Sequence, residues 1–190
     1  PDESIICPWN TSIAYAIEAV GAGVELVLGV EVTDVTRDAD AWLLRTTTGS
    51  VRAGWVVNAA GLGSDLLDQR FGHDGFTIAP RRGQLIVFDK LARSLLSSIL
   101  LPVPTERTKG VLVAPTVYGK VLLGPTAEDI SDREDTATTA AGIDGLFDAG
   151  RRILPDLVNE EVTAIYAGLR AATEHSDYQI SVHEREHYAC

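Results

Sequence analysis

Residues 56–65 read Val-Val-Asn-Ala-Ala-Gly-Leu-Gly-Ser-Asp, and the fold of this chain turns on how they are read. An apolar strand enters a turn of small residues, and a helix start follows at once. The Ala59-Ala60-Gly61 turn carries almost no side chain, so a second backbone or a ligand can approach it closely. Ser64 or Asp65 can cap the helix that carries Leu66 and Leu67. Strand, tight turn and helix N-terminus together favour an anionic ligand such as a pyrophosphate. Taken alone, the same pattern is also a plain strand-to-helix connection, and that plainer reading ranks first until other residues support the ligand.

Outward from this stretch the periodicities give mixed α and β. Thr11 or Ser12 can cap a helix with Ile13, Ala16, Ile17 and Val20 on one face, ended by Gly21 and Gly23. Residues 24–28 read as a strand. Residues 31–36 and 42–47 read as a hairpin with Asp38-Ala39-Asp40 at its turn. Thr48-Gly49-Ser50 then turns into a strand over 55–59. Residues 83–88 form a strand in which Leu85 and Val87 alternate with Ile86 and Phe88. Residues 111–114 and 121–123 flank the turn Tyr118-Gly119-Lys120 as a second hairpin. Ile143, Leu146, Phe147 and Gly150 predict a helix to about Ile153, stopped by Pro155. Residues 162–171 and 178–183 read as two further strands.

Composition narrows the class. The 190 residues can bury a substantial core, and 45% hydrophobic with 23% charged residues is ordinary for a folded chain. A net charge of −11 argues against nucleic acid and anionic membrane as general partners, although a few local arginines can still hold an anionic substrate. No apolar run approaches the roughly 20 residues that span a bilayer. Cys7 and Cys190 stand at opposite ends, so no disulfide framework is expected and a reducing cytoplasm is the default.

Four further blocks follow the first in order: Pro80-Arg81-Arg82-Gly83-Gln84, Lys109-Gly110-Val111-Leu112-Val113-Ala114-Pro115-Thr116, Leu122-Leu123-Gly124-Pro125-Thr126-Ala127-Glu128-Asp129 and Tyr166-Ala167-Gly168-Leu169-Arg170. The ordered set resembles the FAD-dependent oxidoreductases of the D-amino-acid oxidase and glycerol-3-phosphate dehydrogenase superfamily. Its members read V-V-N-A-A-G-x-W/G-S-D at their second dinucleotide-contacting strand. The resemblance covers nearly the whole chain and is nearest to the branch with the anaerobic glycerol-3-phosphate dehydrogenase large subunit and 2-hydroxyglutarate oxidases. Such enzymes open with a βαβ unit bearing G-x-G-x-x-G, which holds the FAD pyrophosphate. Here the glycine pairs at Gly21/Gly23 and Gly61/Gly63 match the first two positions and fail at the third. The family's flavin-closing Gly-Ile-x-Ser-x-Gly-Leu segment has no counterpart either. The resemblance therefore implies a central piece of a larger flavoenzyme, inactive by itself.

The fold implied is α+β, or mixed α/β. Residues 1–75 would be part of an FAD-binding domain. Residues 76–190 would be a substrate-binding domain with a mixed, largely antiparallel sheet and flanking helices. Ala59, Ala60 and Gly61 would contact FAD. Arg170, near the end of an apolar strand, is where a lone guanidinium is costly unless it meets an anion, and its planar fork suits carboxylate or phosphate. In the family the arginine of G-x-R anchors the substrate's acidic group; without that resemblance, a salt bridge to Glu174 or Glu128 is the favoured reading. The R-G-Q strand runs beside the flavin in relatives, which makes Gln84 a catalytic and Arg82 a substrate-binding candidate, against the plainer reading of Arg81 and Arg82 as exposed edge charges. Tyr118 and Lys120 stand where many relatives have His and Asn. Tyrosine is a poorer base near neutrality but a good hydrogen-bond partner, so Tyr118 is the third catalytic candidate, with an ordinary hairpin turn equally open.

His183-Glu184-Arg185-Glu186-His187 matches H-E-x-x-H, yet zinc proteases need that motif on a helix with a third ligand, and here it follows a strand. No metal ligand is assigned, and His73 and His175 are expected at the surface without metal-spaced partners. The function implied is oxidation of a small anionic CH–OH substrate, glycerol 3-phosphate or a 2-hydroxy acid, by hydride transfer to FAD. Electrons would pass to oxygen, a quinone or an electron-transfer subunit, in the cytoplasm or peripherally at the membrane. The alternatives are an amine or amino-acid oxidase of the same superfamily, a flavin-free module that binds organic anions, and a metallohydrolase.

Overall fold

The computed structural model describes residues 4–103, 110–175 and 177–190. Lys109, the first residue of its family block, lies outside them. In chain order the elements are α1 (Pro8–Gly21), β1 (Val32–Asp38), β2 (Ala41–Thr46), β3 (Gly49–Ala53), β4 (Val56–Val57), α2 (Ser64–Arg70), β5 (Ile78–Phe88), β6 (Leu112–Pro115), β7 (Val121–Gly124), β8 (Glu128–Asp129), α3 (Ala140–Ile153), β9 (Val162–Thr173), β10 (Val182–His183) and β11 (Tyr188–Ala189). This is an α+β chain of helices and largely antiparallel sheets. It forms two compact units, one of residues 1–24 and 81–169, the other of residues 25–80 and 170–190.

The first unit is built on a sheet in the order β6-β7-β5-β8, with β9 also paired to β5. β6 and β7 pair antiparallel with Pro115 opposite Val121, which makes 116–120 the hairpin turn. Alternation along each strand sorts the side chains by face. Ile86, Phe88, Val113, Val121 and Leu123 are fully buried, together with Leu146 of α3 and Leu157. Val87, Ala114 and Leu122 point to the opposite face. α3 begins at Thr139, whose hydroxyl accepts from Gly142 N–H at 3.1 Å, and its last turn carries Arg151 and Arg152 at the negative end of the helix dipole. Helix α1 forms where expected, but its cap differs. Cys7 holds the N-cap position with Pro8 behind it, while the Thr11 and Ser12 hydroxyls donate back to Cys7 O and Pro8 O. None of its residues is buried; Ile13 and Ile17 are 54% and 67% exposed.

The second unit holds an antiparallel meander, β1-β2-β3, and a small sheet, β10-β11-β4. Its core is Val35, Trp42, Phe71 and Tyr188. Phe71 stacks on Tyr188 at 4.1 Å and meets Trp42 edge-on at 4.8 Å. Three expectations change here. Residues 24–28 form no strand, and Leu26, Val27 and Leu28 are exposed. A strand needs a neighbour to take its backbone hydrogen bonds, and these residues have none in the sheets described. Gly49 and Ser50, expected in a turn, instead begin β3, which lies on the β2 edge. The strands expected over 55–59 and 178–183 shrink to the two-residue β4 and β10, since only Val56–Val57 and Val182–His183 find partners on β11.

Candidate functional site

The small-residue turn is held from beneath. Val56 and Val57 pair in parallel with Tyr188 and Ala189, and Asn58 N–H donates to Ala189 O at 2.8 Å. The buried Asn58 amide donates to Ser64 O at 2.9 Å and to Tyr188 Oη at 3.0 Å, while its Oδ1 accepts Ala60 N–H at 3.2 Å. The Tyr188 hydroxyl in turn donates to Asp68 Oδ1 at 2.6 Å. Burial, and then the hydrogen bond to Asp68, push the Tyr188 phenol far above its ordinary pKa, so it stays a neutral donor. Ala59, Ala60 and Gly61 remain exposed above this relay. Gly61 has φ +57°, a left-handed value that suits glycine, and nothing lies within 4 Å of where its Cβ would stand. An open ledge without side chains suits the close approach of a dinucleotide. The cap differs from expectation: Gly63 precedes α2 without a side-chain cap, and Asp65 instead accepts from Leu66 N–H at 2.9 Å and Ile78 N–H at 3.0 Å.

The first unit carries a cavity of about 500 Å³ on the sheet face opposite its core. Val87, Ala114 and Leu122 line it from the strands, Thr163, Ala164 and Tyr166 from β9, and residues 5–9 from the start of the chain. Tyr118 and Lys120 sit at its hairpin side, where Thr116 Oγ1 accepts Lys120 N–H at 3.1 Å and Gly119 takes φ +81°. Cys7 Sγ and Tyr118 Oη are hydrogen-bonded at 3.1 Å. That bond, with backbone contacts at Asn10 and Trp9, holds the Cys7 thiol below its ordinary pKa and raises the Tyr118 phenol above its own. The cavity is apolar for most of its lining, with one cation, two tyrosines and a thiol converging on it. Such a lining suits a small anion with a short carbon skeleton.

Two candidates on β5 turn out to be internal. Gln84 is fully buried; its Nε2 donates to Thr139 Oγ1 at 3.1 Å and its Oε1 accepts Thr139 N–H at 2.7 Å. A Cβ on Gly142 would stand 2.1 Å from that amide. Gln84 therefore ties β5 to the start of α3. Arg82 is buried rather than an exposed edge charge. Its Nε and Nη2 donate to Glu128 Oε2 at 3.2 and 2.9 Å, and its Nη1 donates to Asp135 Oδ2 at 2.8 Å and Ala137 O at 3.2 Å. A guanidinium so engaged organises the 128–137 loop. Arg81 pairs with Asp129 of β8 at 2.6 Å and stays partly exposed, on a strand inside the sheet rather than at its edge.

Arg170 belongs to the second unit, and Tyr118, Arg82 and Gln84 to the first. Arg170 is exposed on β9, so water can solvate it and the burial argument for an anion there falls away. Of the partners considered for it, Glu128 pairs with Arg82. Cys7, Lys120 and the Asn58–Tyr188–Asp68 relay were not singled out from the sequence. Cys7 and Tyr118 lie 111 positions apart, and Lys120 was noted only as a turn residue standing where many relatives have Asn.

The H-E-x-x-H letters lie on β10, a 3₁₀ turn over Glu184–Glu186 and β11, not on one helix. His187 takes φ 56° and stacks on Trp55 at 5.2 Å, away from His183. His73 departs from expectation. It is half-buried, stacks on His183 at 3.9 Å and is hydrogen-bonded through Nε2 to Glu186 Oε2 at 3.0 Å. Among the described residues, no helix is long and apolar enough to cross a membrane.

Comparison with known proteins agrees with this architecture. The sequence model of the FAD dependent oxidoreductase (DAO) family matches residues 1–190. The chain is 36% identical over 176 residues to glycerol 3-phosphate dehydrogenase of Caloramator mitchellensis, across 93% of this chain and 37% of that protein. It is 26% identical over 179 residues to glycine oxidase of Geobacillus kaustophilus, across 92% of this chain and 44% of that protein. Among solved structures it superposes on dithionite-reduced L-alpha-glycerophosphate oxidase of Mycoplasma pneumoniae with FAD bound, with a TM-score of 0.83, 30% identity and coverage of 94% of this chain and 48% of that one. The chain thus spans less than half the length of these relatives. It belongs to the DAO family of FAD-dependent oxidoreductases.

Proposed function

We propose that this chain forms the substrate side, and part of the cofactor side, of an enzyme that oxidises a small anionic CH–OH substrate such as glycerol 3-phosphate or a 2-hydroxy acid. The cavity bearing Lys120, Tyr118 and Cys7 carries this reading, because it offers a cation and hydrogen-bonding groups in an otherwise apolar space. The likeness to glycerol 3-phosphate proteins supports the same substrate class. Lys120 would neutralise the phosphate or carboxylate, and Tyr118 would hydrogen-bond and orient the substrate. Arg170, in the second unit, is kept as a separate candidate for holding an acidic group. FAD, when bound, supplies the hydride acceptor. Ala59, Ala60 and Gly61 would contact it, held in place by Asn58 and Tyr188. Residues 1–75 are assigned to the FAD-binding part and 76–190 to the substrate-binding part, with residues 5–9 reaching the cavity. Electrons would leave to oxygen, a quinone or an electron-transfer subunit. A cytoplasmic place, or a peripheral one at the membrane, fits the free thiols of Cys7 and Cys190.

The likeness to glycine oxidase favours a second reading, oxidation of an amine or amino acid at the same cavity. One experiment separates the two. The flavin spectrum of the holoenzyme is recorded without oxygen while glycerol 3-phosphate, 2-hydroxyglutarate and glycine are added in turn. Bleaching by either hydroxy compound supports the proposal. Bleaching by glycine alone replaces it with the amine reading. A colourless protein that still binds these anions replaces both with a flavin-free binding module.

A further inference from the structure

We propose that His73, His183 and Glu186 form a binding site for a divalent transition-metal ion, of the zinc, cobalt and nickel class. Their ligand atoms lie within 4.8 Å of one another, and His73 Nε2 and Glu186 Oε2 are already 3.0 Å apart. Metal–ligand bonds of 2.0–2.1 Å in a tetrahedron put donor atoms roughly 3.3 Å apart. The His73–Glu186 edge is therefore near its liganded length, and the His183 nitrogen, within 4.8 Å of both, has to close in by at most about 1.5 Å. In doing so the His183 ring swings out of its 3.9 Å stack on His73, because near-parallel stacked rings cannot both aim an in-plane nitrogen lone pair at one ion.

The surroundings gather these three residues. Both imidazoles belong to an aromatic stack on the buried Tyr188, at 5.4 and 5.9 Å. Glu186 sits in a 3₁₀ turn whose carbonyl is fixed by two donors, Arg37 Nη1 at 2.6 Å and Trp42 Nε1 at 2.7 Å. Beside the cluster lies a cavity of about 280 Å³, lined also by Asp74, His175 and Cys190. It leaves room for one or two water ligands or for a fourth side-chain donor. Imidazole with a carboxylate is the donor set of zinc, cobalt and nickel rather than of calcium or magnesium. The ion would displace the proton now shared between His73 and Glu186 and would clip the 182–189 hairpin to the segment after α2. This site is not the H-E-x-x-H pair, since His187 stands outside it. It is also independent of the flavin reading.

The test is calorimetric titration of the purified full chain with Zn²⁺ alone, with Co²⁺ as the spectroscopic probe. About one equivalent of Zn²⁺ should bind at the cluster, and Co²⁺ should show visible bands of low-coordinate nitrogen and oxygen ligation. Glu186→Gln keeps the shape of a half-exposed side chain and should fold normally, yet weaken binding by more than about tenfold, the range lost even on outer-ligand changes. His73→Asn should do the same, and His187→Asn should leave binding unchanged. Absence of binding overturns the proposal. So does binding that survives both Glu186→Gln and His73→Asn, or that is lost in His187→Asn.

Discussion

Single residues in this protein take their roles from whether their hydrogen bonds are already spent. Arg82 and Gln84 have the chemistry of a substrate site, but both are buried and bonded internally. Tyr118 and Lys120, two residues apart on a hairpin turn, keep groups directed to an open cavity. Lys120 is the residue whose loss separates binding from folding. Lys120→Ala removes a charge-assisted contact of the kind that contributes about 1.5–3 kcal/mol, so KM for an anionic substrate should rise roughly ten- to hundredfold. The urea unfolding midpoint should stay near that of the parent chain, because Lys120 lines the cavity and is not a member of the apolar core. Steady-state kinetics of the holoenzyme check this, and an unchanged KM would remove Lys120 from the site.

Elements in the first unit work by having two faces. β5, β6 and β7 each send alternate side chains to the core under α3 and to the cavity opposite. Neighbours in sequence should therefore differ sharply on mutation. Leu123→Ala opens a hole beside Gly150 and Val113 and should cost roughly 2–5 kcal/mol of unfolding free energy. Leu122→Ala is half-exposed on the cavity face, so it should cost less stability and act instead on substrate affinity. Chemical denaturation of the two variants measures the contrast. Equal losses would mean that the strand register is not as described. The element scale also shows where periodicity misleads. Residues 24–28 have the composition of a strand but no edge to pair with, whereas 49–53, polar and glycine-led, pair along β2 because the 46–49 turn delivers them to it.

At the scale of the molecule, stability should fall in alkali through one buried phenol. Tyr188 is fully buried between Phe71 and the polar relay, and its folded pKa lies well above the unfolded value near ~10. Its contribution is fully present below the unfolded pKa. It is lost as pH rises, because the unfolded chain releases the proton first and the native state must follow or unfold. The urea midpoint should therefore fall above about pH 10. Tyr188→Phe should flatten that decline. It should also lower stability at neutral pH by about 1–3 kcal/mol, since Asp68 loses its donor and Asn58 loses an acceptor. A variant with the parent's alkaline profile would remove Tyr188 as the cause. On the acid side, the guanidinium of Arg81 holds Asp129 below the usual carboxylate range, and that contribution is lost as pH falls through its folded pKa.

The sequence by itself determined whatever rests on local order. The ordered blocks around 56–65, 80–84, 122–129 and 166–170 carry the family, because a strand, a turn and a helix start are written in consecutive residues. The β6–β7 hairpin, α3 with its stop before Pro155, and β9 were legible for the same reason. Only the tertiary structure decided which polar side chains are free. Arg82 finds Glu128 and Asp135, 46 and 53 positions away, and Gln84 finds Thr139, 55 positions away. Cys7 meets Tyr118, and His73 meets Glu186, across more than a hundred residues. No local spacing encodes such meetings; they follow from which segments the packed core brings into reach, and with them the split between residues that hold the fold and those left open to chemistry.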